Sequence, residues 1–328
     1  MRTKMVAIVL LTLVIAGCAS SRPDWTDGGK SKKYPDSRYF TGFGTSTNLD
    51  AAKSRAKGNL TDKFLEKAEE AAKAEALALR RESKTVASLV NGPRVRGVIK
   101  RRSANIISGI KIADTWIGPK TNSYYAFAVL ARGKVTGSLR DEINYLDRAT
   151  GTYVKRSGKG NDILRRIRAA SIALDAQIAR GALDRMDKGS VPNPWQVAKL
   201  GADLDRLLKQ VRITPQVIDD TTGTLLTSAQ SALNGAEFRV SADDTSEFIL
   251  DVRLAFEDLG IRDNWYWSRG VLKVTLRERT SGRDRGTVSW AIKASGRSNS
   301  DAEQRIAVKT DSLLKRQIRA SIVKFATR

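Results

Sequence analysis

The chain has 328 residues, 41% of them hydrophobic, with one cysteine, no histidine and a formal net charge of +23. That length supports two domains of ordinary size. The absence of histidine removes the usual general base, the Ser-His-Asp and Cys-His nucleophile arrangements and every imidazole metal site, and a single cysteine permits no disulfide within the chain. Carboxylate-only chemistry and Ser-Lys dyads survive this filter, but the sequence offers little for either. Ser54 and Lys57 have dyad spacing on an exposed-looking alanine-rich helix. Asp219-Asp220 and Asp243-Asp244 are neighbours in sequence and do not face one another as a hydrolase pair must. The expectation is a non-enzymatic protein with no metal and no cofactor.

The first elements concern export. Met1-Arg2-Thr3-Lys4 is a basic start, and Met5 to Ile15 is apolar apart from Thr12. Ile15-Ala16-Gly17-Cys18 follows. This order reads as an export signal, and the apolar run is shorter than the ~20 residues that span a bilayer. The four residues resemble the lipobox of bacterial lipoproteins, whose commonest form has Leu where Ile15 stands. That resemblance implies removal of residues 1–17 and diacylglycerol on the thiol of Cys18. An uncleaved anchor, or a signal peptide that leaves a free thiol, is the alternative. Ala19 stands where Asp would favour retention at the inner membrane, so the expected location is the outer membrane, facing the periplasm. Export removes nucleic acid as a partner. The polyanions left are lipid headgroups, lipopolysaccharide phosphates, peptidoglycan carboxylates and acidic proteins.

Residues 18–38, rich in Gly, Ser, Pro and Lys, read as the lipidated cysteine and a tether, with Trp25 and Tyr34 as aromatics that a tether does not need. A domain over 39–133 follows. Tyr39 to Gly44 is a strand whose glycines suit a tight bend into a helix capped by Asn48 and reaching about Arg80. Asn91-Gly92-Pro93 breaks the chain, and Val95, Ile99 and Ile106 mark a second helix from 94 to about 106. Residues 108–116 and 124–131 alternate as a hairpin. From Ser83 to Arg140 the only acid is Asp114, and the densest basic cluster is Arg94, Arg96, Lys100, Arg101 and Arg102. These five form the candidate basic contact face.

Pro23-Asp24-Trp25, Tyr34-Pro35, Tyr39, Gly42-Phe43-Gly44, the alanine-spaced helix, Asp114-Thr115-Trp116 and Tyr125-Ala126-Phe127-Ala128-Val129-Leu130 together resemble the LPP-twenty lipoprotein family. They are also similar to the N-terminal domain of the flagellar assembly protein FlgT. The likeness covers about residues 23–135. It implies an envelope lipoprotein and carries no catalytic residues with it.

Residues 134–209 read as a helical connector. Leu139, Ile143 and Leu146 mark one helix, Ile163 to Met186 a longer one, and Val197 to Leu208 a third. The long helix is basic at its start, with Lys155, Arg156, Lys159, Arg165, Arg166 and Arg168. Packing on neighbouring helices suits its Asp175, Asp184 and Asp187 better than a membrane surface does. Residues 210–328 read as a second α/β unit. Strands are expected at 211–218, 236–240, 248–256, 271–276 and 286–294, with helices at 224–233 and 301–325. Its element order is similar to that of the TolB N-terminal domain. Trp265 and Trp267 lie two apart, so their rings share one face of a strand, a candidate aromatic contact for sugar rings.

The fold class is therefore α+β: two small antiparallel-sheet domains with packed helices, joined by a helical segment. The expected function is a membrane-anchored envelope lipoprotein acting as an interaction or assembly module. Its partner is an envelope protein or, alternatively, an anionic polymer such as peptidoglycan or lipopolysaccharide engaged through the basic face.

Overall fold

The computed structural model describes residues 22–80, 86, 92–119, 122–219, 223–241 and 245–326. Ile15, Ala16, Gly17 and Cys18 lie outside the described residues, as do Asp220, Asp243 and Asp244. The fold is α+β, with a three-stranded and a five-stranded sheet. The chain divides into two compact units, Met1–Phe64 with Gly109–Lys134, and Leu65–Ser108 with Val135–Arg328.

The first unit is built on strands β1 (Tyr39–Ser46), β2 (Lys111–Gly118) and β3 (Ser123–Ala131), antiparallel in the order β1-β3-β2. Helix α1 (Leu49–Leu79) starts behind β1, with the Asn48 carboxamide oxygen accepting from the N–H groups of Asp50 and Ala51. The register puts Gly42 opposite Ala128 and Gly44 opposite Ala126, so one sheet face carries only small residues there. Against it α1 seats Ala52, Ala56 and Leu60, all buried. A Cβ on Gly42 would collide with Ala56 and Leu60, and one on Gly44 with Ala52 and Ala56. From sequence these glycines suit a tight bend into the helix. They sit inside the strand, and what they permit is the close approach of the helix.

The opposite face is aromatic. Phe43 pairs with Phe127, and Trp25 stacks on Phe127 at 5.4 Å while its indole N–H donates to Asp114 at 3.0 Å. Tyr34 packs edge-on against Tyr39 at 5.1 Å. From Pro23 onward, then, the stretch read as a tether is part of the folded unit, because Trp25 is a large apolar surface that the sheet can bury. The free edge of β1 is covered as well. Arg55, Asn59 and Lys63, spaced one turn apart on α1, donate to the carbonyls of Thr45, Phe43 and Thr41. Side chains thus occupy backbone acceptors that would otherwise invite another strand.

The second unit centres on a helix. Helices α2 (Pro93–Ile107), α3 (Arg132–Ser157), α4 (Ile163–Met186) and α5 (Val197–Leu208) precede the second sheet. That sheet comprises β4 (Arg212–Ile218), β5 (Arg239–Val240), β6 (Phe248–Arg262), β7 (Trp265–Glu278) and β8 (Asp284–Gly296). Helix α6 (Leu225–Gly235) lies between β4 and β5 in sequence, and α7 (Asn299–Ala326) closes the chain. The strand order is β5-β4-β6-β7-β8. β6, β7 and β8 are antiparallel, as expected from sequence, but β4 runs parallel to both β5 and β6, which makes this sheet mixed. A helix between β4 and β5 is the crossover that a parallel pair requires.

Alternate residues of β6 and β7 (Leu250, Val252, Leu254, Leu272, Val274, Leu276) are buried, as are Ile306, Leu314, Ile318 and Ile322 of α7. Helix α4 is buried almost all round its axis. It is covered by α2, α5 and α7, which explains a departure from the division read in the sequence. The sequence predicts residues 65–108 within the 39–133 domain and 134–209 as a connector. Residues 65–108 and 135–209 belong instead with the C-terminal unit, because a helix buried on almost every side needs neighbours on every side. Several of its buried polar groups are bonded internally, although the Gln177 Oε1 has no hydrogen-bond partner among the described residues. Arg180, 2% exposed, donates to Asp184 at 3.1 Å and to the carbonyls of Val191 and Pro192, fixing the loop after α4.

Candidate anion-binding site

Helices α3 and α4 meet at a corner made by residues 158–162. Gly160 has φ +91, a left-handed conformation that suits glycine. Asp162 then caps α4, accepting from the N–H groups of Leu164 at 3.0 Å and Arg165 at 3.1 Å. The corner encloses an open concavity of about 1020 Å³. Lys155 and Arg156 reach it from the last turn of α3, Lys159 from the corner, and Arg165 and Arg168 from the first turns of α4. Ala169 and Ile172 line it with apolar surface.

The electrostatics are one-sided. Among the described residues Asp162 is the only acid lining the concavity. It is already engaged by Arg165 at 3.3 Å and by Arg285 at 3.4 Å. Partial burial pushes its carboxyl up, but the backbone N–H of Arg165 and the Arg285 guanidinium outweigh this and hold it below the ordinary value of 3.8. Arg156 leans over the Tyr153 ring at 5.3 Å. Among the described residues Lys155, Lys159 and Arg168 have no ion pair. Cations in the last turn of α3 suit its dipole, but Arg165 and Arg168 at the start of α4 oppose theirs. An anion in the concavity would be favoured by every one of these charges.

The sequence-predicted basic face fares differently. Arg94 turns inward from α2. It pairs with Asp175 of α4 at 2.6 Å and also bonds Ser171. Burial pushes the Asp175 carboxyl up to about 6, with Arg94 partly offsetting the shift. Arg102 pairs with Glu142 at 3.0 Å and covers the Tyr145 ring at 4.2 Å. Only Arg96, Lys100 and Arg101 remain exposed and without an ion pair among the described residues. The five are therefore not one contact face. Two of them serve helix packing, because acids distant in sequence reach them once α3 and α4 fold against α2. Trp265 and Trp267 do share one side of β7, with Trp265 exposed and Trp267 half-buried. The Arg305 guanidinium lies 6.0 Å from the Trp265 ring. The α3–α4 cations were legible only as the basic start of one helix. The signal that bends them around a concavity is Gly158-Lys159-Gly160 followed by the Asp162 cap.

No family model and no curated protein matches the chain, so its likeness to the LPP-twenty family rests on the residues quoted above. Among solved structures it is similar to the secreted protein HP1454 from the human pathogen Helicobacter pylori. Identity is 13%, the match covers 85% of this chain and 97% of that one, and the TM-score is 0.40. It is also similar to a minor lipoprotein from Acinetobacter baumannii, at 16% identity over 33% of this chain and 92% of that one, with a TM-score of 0.25. Lipoprotein GNA1162 from Neisseria meningitidis is 15% identical over 34% of this chain and 100% of that one, with a TM-score of 0.24. At these scores the likenesses place no functional residue. Among the described residues no helix is long and apolar enough to cross a membrane.

Proposed function

We propose that this chain is an envelope lipoprotein, tethered through Cys18 to the outer membrane and facing the periplasm, whose body is a non-enzymatic module that docks on an acidic partner. The observation that carries the docking is the cationic concavity at the α3–α4 corner, where Lys155, Lys159 and Arg168 stand without ion pairs among the described residues. The lipobox-like Ile15-Ala16-Gly17-Cys18 supports the tether. An open, multiply charged hollow favours the polymer reading over a single protein partner, since lipopolysaccharide phosphates or peptidoglycan carboxylates can thread it in many poses.

The test has two arms. Detergent partitioning of the chain made in a lipoprotein-processing host should place it in the detergent phase, and Cys18→Ser should move it to the aqueous phase. Co-sedimentation with peptidoglycan and with lipopolysaccharide should be strong at low salt and fall at least ~10-fold as added salt shortens the Debye length well below ~10 Å. The Lys155→Glu, Lys159→Glu, Arg168→Glu variant should lose this binding with its melting temperature retained. Binding that ignores both salt and these three substitutions refutes the concavity as the docking surface. Equal binding by a Trp265→Ala, Trp267→Ala variant would leave the aromatic pair no part in it.

A further inference from the structure

A second hollow lies within the helical part of the same unit. The C-terminal half of α1 and the length of α2 flank a groove of about 390 Å³. Its floor is apolar, with Leu65, Ala68 and Ala72 from α1 and Val95 and Ile99 from α2. One polar atom interrupts it. Ser103 is fully buried, lines the groove, and its hydroxyl has no hydrogen-bond partner among the described residues. Helical hydroxyls ordinarily bond back to the carbonyl four residues earlier. Thr150 does so to Leu146 and Ser321 to Gln317, whereas among the described residues Ser103 on α2 and Thr310 on α7 do not, and of these two Ser103 is the one that lines the groove. A buried donor left idle is costly and points to a partner that the polypeptide does not supply.

The rim supplies the other half of the argument. On the α1 bank Glu69 and Lys73 pair with each other at 3.3 Å. On the α2 bank Arg96 and Lys100 are one turn apart, exposed, and without an ion pair among the described residues. Ser103 follows on the same stripe. Apolar floor, orphan hydroxyl and two uncompensated cations therefore lie in sequence along one helix face. This is the layout of a small-molecule site, apolar with a few convergent polar groups.

We infer that the groove binds a single-chain anionic amphiphile, a fatty acid or a lysophospholipid. The tail lies on the floor formed by Leu65, Ala72, Val95 and Ile99. The acid headgroup sits between Arg96 and Lys100, and the Ser103 hydroxyl donates to a headgroup oxygen. This inference is independent of the tether and of the α3–α4 concavity.

Isothermal titration of the full chain carrying Cys18→Ser, at physiological salt and below each ligand's micelle concentration, tests it. Saturated fatty acids of increasing length should bind one per chain, with affinity rising about fourfold per added methylene until the floor is filled. Lysophosphatidylglycerol of the same chain length, run in parallel, tells a phosphate headgroup from a carboxylate. The matched fatty alcohol should bind at least ~10-fold more weakly than the acid. Ala72→Trp, which fills the groove from its half-buried edge, should abolish binding. Arg96→Glu with Lys100→Glu should weaken it at least ~10-fold without changing the melting temperature, since both sites are exposed. Ser103→Ala should weaken binding several-fold while leaving the free chain no less stable. Triple reversal at Lys155, Lys159 and Arg168 should leave amphiphile binding intact, so failure here and failure of the polymer reading are separable. No saturable binding by either ligand, equal binding of acid and alcohol, or indifference to chain length would each overturn the inference.

Discussion

Asp175 gives the sharpest prediction. It lies buried on α4 with Arg94 as its counter-ion, and its carboxyl is pushed up from 3.8 to about 6, chiefly by burial. A carboxyl whose folded pKa exceeds its unfolded value holds its proton more tightly when folded. Its contribution to stability is therefore full below the unfolded value and is lost as pH rises through 3.8 to about 6. That rise corresponds to about 3 kcal/mol between the two plateaus, at ~1.36 kcal/mol for each pH unit of displacement. Asn mimics the protonated carboxyl, so Asp175→Asn should be about 3 kcal/mol more stable than the native chain at neutral pH and equal to it below pH 3.8. Arg94→Ala acts in the opposite sense. It leaves a buried carboxylate alone and should cost about 3–5 kcal/mol at neutral pH, with less lost on acidification. Urea denaturation of the three proteins across this range, read as differences from the native chain, removes the background titration of other groups. A native-minus-Asn difference that is flat with pH, or an Asn variant less stable at neutral pH, would refute the reasoning.

Three further outcomes can be measured the same way. Gly44→Val should lower stability by about 3 kcal/mol, because its side chain has no room beneath Ala52 and Ala56. Gly58→Ala on α1, where an added Cβ meets nothing within 4 Å, should instead raise stability by about 0.5–1 kcal/mol. Asp162→Ala should cost about 1–2 kcal/mol through loss of the α4 cap. Its folded pKa is lowered, so the native chain has this contribution above 3.8 and loses it as pH falls through the lower folded value. The Ala variant should therefore show a shallower loss of stability in acid. It should also bind polyanions more tightly at low salt, having lost the one acid in the concavity.

Local order was legible because it is written locally. Alternation gave β7 and the hairpin β2–β3, and Asn48 announced the start of α1, whereas the Asp162 cap of α4 emerged only with the structure. Three features were not legible, two of them resting on long-range pairing and the third on a local turn. The parallel alignment of β4 with β6 pairs Ile213 with Phe248, with α6 and β5 lying between them in sequence. The inward turn of Arg94 and Arg102 depends on Asp175 and Glu142 arriving from other helices. The corner between α3 and α4 hid inside what reads as a continuous basic run. Charge density along the chain therefore overstated α2 as a surface and understated residues 155–168, because it cannot tell which cations will find an acid.

The pairing of β1 with β3 carries a consequence for how the polypeptide becomes structured. Tyr39 lies opposite Ala131, and everything from Leu65 to Ser108 belongs to the other unit. A polypeptide made from its N-terminus holds β1 without its neighbour until the hairpin has been synthesised, and distant strand pairing is intrinsically slow. In that interval the Arg55, Asn59 and Lys63 side chains can already shield one margin of the strand, while the margin that awaits β3 stays open to intermolecular pairing. The nascent chain is thus most vulnerable to aggregation before Ala131 emerges, and any holding factor it needs would act on that side of β1.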